Sequence, residues 1–75
     1  MTAAARLQAA RLQAMELAAY RETHNLAPQV YQTWRRWGRG WRPTGFYGIR
    51  FVPVGQDPEV CTDGDYRMTP VPDPV

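Results

Sequence analysis

From Thr2 to about Thr23 the chain has neither glycine nor proline and draws mainly on Ala, Leu, Gln, Glu, Arg and Met, the residues of highest helix propensity. A long N-terminal helix is the expectation, with Thr2 as its N-cap. On a helical wheel Leu7, Ala10, Ala14, Leu17 and Ala18 share one side, and Leu12, Met15 and Ala19 form a second seam. A helix apolar on two seams sits between two partners or meets a second copy of itself, so a homodimer is a candidate assembly. The run Ala4 to Gln8 recurs at once as Ala9 to Gln13, a local duplication whose five-residue period fits no solenoid or heptad.

The remainder is punctuated. Thr23-His24-Asn25 interrupts the helical pattern, Asn25 suits the left-handed conformation that ends helices, and Pro28 suits the first turn of another. From Pro28 to Trp37 the wheel places Val30, Trp34 and Trp37 beside Tyr31, with Gln29, Gln32, Thr33 and Arg36 opposite, which predicts a short amphipathic second helix stopped by Gly38 and Gly40. Phe46 to Val54 reads as a strand, Tyr47, Ile49 and Phe51 facing a core and Arg50 the other way, with Pro53 marking an edge. Asp63-Gly64, flanked by Glu59 to Thr62 and Asp65 to Thr69, suits a two-residue hairpin loop. Pro70, Pro72 and Pro74 alternate with Val71, Asp73 and Val75, which predicts an extended or disordered tail. The fold class expected is α+β: a long helix, a short second helix, a small antiparallel hairpin or meander, and a Pro-rich tail.

At 75 residues and 8.6 kDa the chain is one small domain with a small core. Its net charge of +2 hides a division. Residues 1–56 hold eight arginines against Glu16 and Glu22, whereas residues 57–75 hold Arg67 against Asp57, Glu59, Asp63, Asp65 and Asp73. A basic part at 1–56 with an acidic hairpin and tail at 57–75 favours a surface that meets a polyanion. The acidic part can also fold back on the arginines and screen them. Three tryptophans and four arginines fall within the nine residues Trp34-Arg35-Arg36-Trp37-Gly38-Arg39-Gly40-Trp41-Arg42, with Arg50 following in the strand. Aromatics interleaved with arginine suit nucleic acid, including stacking on single-stranded bases or RNA.

The segment Asn25 to Arg39, with the strand after it, resembles small phage excisionases and MerR-type regulators over about residues 16–54. The resemblance implies a winged helix-turn-helix in which the second helix enters the major groove and the strand with Arg50 forms a wing. On that likeness Gln29, Gln32, Thr33 and Arg36 would read bases, and Arg35, Arg39, Arg42 and Arg50 would hold phosphate. Val30, Trp34, Trp37 and Trp41 would supply core or interface. This chain departs from the pattern at Asn25, where glycine is usual, and at Ala27, a poor cap. The function implied is a phage or mobile-element DNA-binding regulator or excision factor, cytoplasmic in a bacterial host, acting on double-stranded DNA as a dimer or alongside another protein.

A second reading keeps the same residues and changes the partner: a phage interaction subunit that docks its Trp/Arg surface on a host enzyme or virion neighbour. Catalysis is not expected, because His24 has no Ser, Cys or metal partner near it in sequence and Cys61 stands alone. One cysteine and one histidine cannot supply a four-ligand zinc site, so neither metal nor cofactor is expected, nor a small-molecule substrate. No run approaches the length of a membrane span, and Met1 to Ala10 lacks the apolar run of a signal peptide, so no membrane partner is expected.

Overall fold

The computed structural model describes residues 1–72, and the last tail residues, 73–75, lie outside that range. Helix α1 spans Ala3–Glu16, with the Thr2 hydroxyl accepting from the Ala5 amide at 3.1 Å. A single 3-10 turn at Leu17–Ala19 leads into the short helix α2, Tyr20–His24. Asn25 then takes φ 55°, the left-handed conformation, and turns the chain directly into strand β1, Leu26–Trp37. Strands β2 (Gly40–Pro53), β3 (Cys61–Asp63) and β4 (Tyr66–Pro70) complete one antiparallel sheet in the order β2-β1-β4-β3. The chain is α+β, as the sequence predicts.

The second helix predicted over Pro28 to Trp37 is not formed; those residues are the inner strand of the sheet. Val30, Tyr31, Thr33, Trp34 and Trp37 are β-branched or aromatic and suit a pleated strand, and Pro28 lies beyond the end of β4, where no ladder bond is asked of it. The helical spacing of Val30, Trp34 and Trp37 is coincidental. Both Val30 and Tyr31 are buried although they point to opposite faces, so the alternation that marks a half-exposed strand is missing.

Gly38 and Gly40 therefore do not stop a helix. Trp37 pairs with Gly40 across a two-residue hairpin loop, Gly38-Arg39, with Gly38 at φ +59°. The predicted second hairpin also forms, but its loop is Gly64-Asp65 instead of Asp63-Gly64, because Asp63 pairs with Tyr66 and the positive φ falls on Gly64. The predicted strand is longer than expected, since β2 begins at Gly40 and carries an irregularity opposite Thr33, where Thr44 to Phe46 bulge between two regular stretches. The tail is not detached from the ladder at its start: Pro70 lies opposite Tyr31, and the Val71 amide donates to the Val30 carbonyl at 2.9 Å.

The core lies between the helices and one end of the sheet. Ala10 of the first predicted seam is buried, and Leu7, Ala14 and Leu17 are half-buried, whereas Leu12 and Met15 of the second seam are exposed. Tyr20 packs against Phe51 in a tilted arrangement with 5.1 Å between ring centres, and Arg6 reaches the Gly45 carbonyl at 3.3 Å while lying 4.3 Å over the Phe46 ring. On the other face Tyr31 is 2% exposed, and its hydroxyl donates to the Glu59 carbonyl at 3.0 Å, so the connection from β2 to β3 covers it. Helix contacts stop near the bulge. Beyond it the sheet runs on with both faces open, which gives the molecule its length of 42 Å against widths of 26 and 21 Å.

Candidate nucleic-acid interface

Strand alternation sorts the Trp/Arg segment onto two faces. Trp34 and Arg36 share the face that carries Val30 nearer the helix, and their neighbours across the sheet are Arg67, opposite Trp34, and Trp41, opposite Arg36. The guanidinium groups of Arg36 and Arg67 lie 4.8 Å and 4.4 Å from the Trp41 ring centre. Trp34 is half-buried, and its indole N–H donates to the Thr69 hydroxyl at 2.8 Å, which ties β1 to β4.

The opposite face carries Arg35, Trp37, Arg42 and Tyr66. Register puts Arg35 between Arg42 and Tyr66, with Trp37 one step nearer the hairpin tip. Arg42 lies 4.3 Å over the Trp37 ring, and Arg35 lies 5.8 Å over Tyr66. Trp37 is nevertheless 64% exposed and Tyr66 55% exposed. Arg39 occupies the tip itself. Two aromatic rings thus face solvent on an open sheet, with guanidinium groups already stacked beside them; cation–π contact of this kind holds an arginine without neutralising it. Arg36, on the Trp34 face, has an acidic partner: Asp65 meets it at 3.5 Å, and the Asp65 carbonyl accepts from the Arg36 amide at 2.8 Å.

The expected base readers are placed differently. Gln29 is half-buried, its side-chain amide donating to the Val30 and Val71 carbonyls at 3.0 Å and 2.7 Å. Gln32 is half-buried within β1, between Tyr47 and Thr69. The Thr33 hydroxyl bonds to Thr44 Oγ1 and donates to the Phe46 carbonyl, fastening the bulge. Arg36 alone of the four is exposed. Of the predicted phosphate ligands, Arg35, Arg39 and Arg42 come together on the distal sheet, but Arg50 lies apart, 5.7 Å over Tyr31 and donating to Cys61 Sγ at 2.6 Å. Val30 is core, Trp34 and Trp41 are half-buried, and Trp37 is surface.

Sequence reasoning missed Arg67 and Tyr66, which it assigned to an acidic hairpin by segment charge. The signal was the alternation Tyr66-Arg67-Met68-Thr69, a strand with one aromatic and one cationic face, although nothing in it tells that this strand lies beside Trp34 and Arg35. Among the described residues no helix is long and apolar enough to cross a membrane. No protein-family model matches the chain, and neither the curated proteins nor the solved structures provide a match to it.

Proposed function

We propose that this chain is a non-enzymatic nucleic-acid-binding protein whose contact surface is the distal half of its sheet. The carrying observation is the open face on which Trp37 and Tyr66 stand exposed beside Arg42 and Arg35. Bases stack on such rings, and the arginines meet the phosphates between them. That arrangement favours a single strand over a duplex. The recognition-helix mode of excisionases and MerR-type regulators has no support, because residues 28–37 are a strand and the amide of Gln29 is engaged by backbone carbonyls. A regulatory role in a phage or mobile element would then rest on the sheet face and the hairpin tip at Arg39.

Fluorescence-anisotropy titrations with single-stranded and duplex oligonucleotides of equal length, at several salt concentrations, test this reading. Tighter binding to the single strand is expected, with log K falling linearly as log salt rises, by about 0.7 per phosphate engaged. Preference for duplex would move the contact to the hairpin tip in a groove; no binding to either at low salt would refute the proposal.

The interaction-subunit reading is favoured by one observation, the 64% exposure of Trp37, since tryptophan and arginine anchor protein interfaces. Against it, the three tryptophans do not form one patch: Trp37 lies on one face, and Trp34 and Trp41 on the other.

A further inference from the structure

We propose that the free edge of β2 is a self-pairing surface, through which two copies join their sheets antiparallel about Ile49. The inference stands apart from whatever the distal arginines bind. It begins with the phase of the hydrogen bonds. The Val71 amide donates to the Val30 carbonyl, so the backbone polar groups of Val30 point toward β4 and away from β2. Val30 and Ile49 are therefore a non-hydrogen-bonded pair, and the N–H and C=O of Ile49 point outward from the sheet. By alternation those of Tyr47 and Phe51 do the same. The outer strand of the sheet is β2, and among the described residues these three leave a row of open donors and acceptors there.

The prolines bound that row. Pro53 has the outward phase of Ile49, and Pro43, opposite Trp34 whose neighbour Arg36 donates to Asp65 of the β3–β4 loop, has it too. Each lacks the N–H that an added strand would need, so pairing is confined to the stretch between them. Its regular part, from the bulge to Pro53, is centred on Ile49.

A second copy fits this window better than an arbitrary strand because the register is self-complementary. With the two-fold axis at Ile49, each Tyr47 faces the other copy's Phe51, and all three outward pairs can exchange both bonds. Arg50 then faces Gly48, which has no side chain, and its own guanidinium is drawn inward over Tyr31 toward Cys61. The two arginines are not set against one another. Phe51, 41% exposed, and Phe46, 58% exposed, line the same strand and would lose water in the pair. At the other margin β3 has only three residues, too few to compete.

Sedimentation of the full chain across a concentration series is the test, with a monomer–dimer equilibrium expected. Ile49→Pro removes an outward donor that β1 does not use, and it should shift the equilibrium toward monomer while the thermal melt stays cooperative. A second measurement fixes the register even where that variant fails to fold: spin labels at Arg39→Cys, in a Cys61→Ser background, should lie roughly 50–60 Å apart, because about nine strand residues separate each hairpin tip from the axis. A monomer up to millimolar concentration overturns the proposal. So does a dimer that a folded Ile49→Pro leaves intact, or a label separation well below that range.

Discussion

Arg42 holds its guanidinium 4.3 Å over the indole of Trp37, on the face of the sheet that the helix does not cover and past the point where packing ends. Neither residue is required for the core. The stack holds a cation beside an exposed ring, which is what a base and its phosphate would meet together.

Trp37→Ala is expected to weaken single-strand binding by about 1–3 kcal/mol, the range for losing one base–aromatic stack. Its effect on stability should stay within about 0.5 kcal/mol, because the ring is 64% exposed. Anisotropy titration and a thermal melt on the same preparation separate the two. A large drop in melting temperature with unchanged affinity would make Trp37 a structural residue.

Asp65 sits in the β3–β4 hairpin loop beside Tyr66 and pairs with Arg36 at 3.5 Å, and both side chains are solvent-exposed. An exposed pair contributes about 0–1 kcal/mol to folding, so Asp65→Asn should leave the melt nearly unchanged. It should raise nucleic-acid affinity a few-fold at low salt and lose that advantage at high salt, since an exposed charge acts within a Debye length of roughly 10 Å at 0.1 M. Equal affinity at all salt concentrations would show that Asp65 does not screen Arg36.

Tyr31 joins the two halves of the chain, being the inner-strand residue whose hydroxyl reaches the Glu59 carbonyl. Tyr31→Phe should cost about 0.5–1.5 kcal/mol for the lost bond, and Tyr31→Ala about 3–5 kcal/mol for the cavity as well. Urea unfolding measures both. If the two variants cost the same, the ring would contribute no packing and the burial argument would fail.

The helix was legible because propensity, capping by Thr2 and the lack of Gly and Pro all agree over Thr2 to Thr23. Phe46 to Val54 was legible as strand, and Asp63-Gly64 as a hairpin, because alternation and turn residues are local signals. Pro28 to Trp37 was not, because a strand buried on both faces and a short amphipathic helix can place apolar residues alike. Only the pairing with β2 and β4 decides between them. The cationic cluster was visible as composition, but its division between faces follows from the strand, and Arg67 enters only through register with Trp34.

The junction between helix and sheet rests on Asn25, at φ 55° and with its carbonyl accepting from the Val54 amide at 3.0 Å. Left-handed backbone costs an ordinary L-residue roughly 1–2 kcal/mol, and asparagine and glycine least. Asn25→Val should therefore lower stability by at least about 1 kcal/mol, whereas Asn25→Gly should change it by only a few tenths, which chemical denaturation resolves. The valine variant should also lose protection of the Val54 amide in hydrogen exchange, since the carbonyl that holds it moves with the turn. Equal stability of the two variants would mean that the helix can enter β1 by another backbone path.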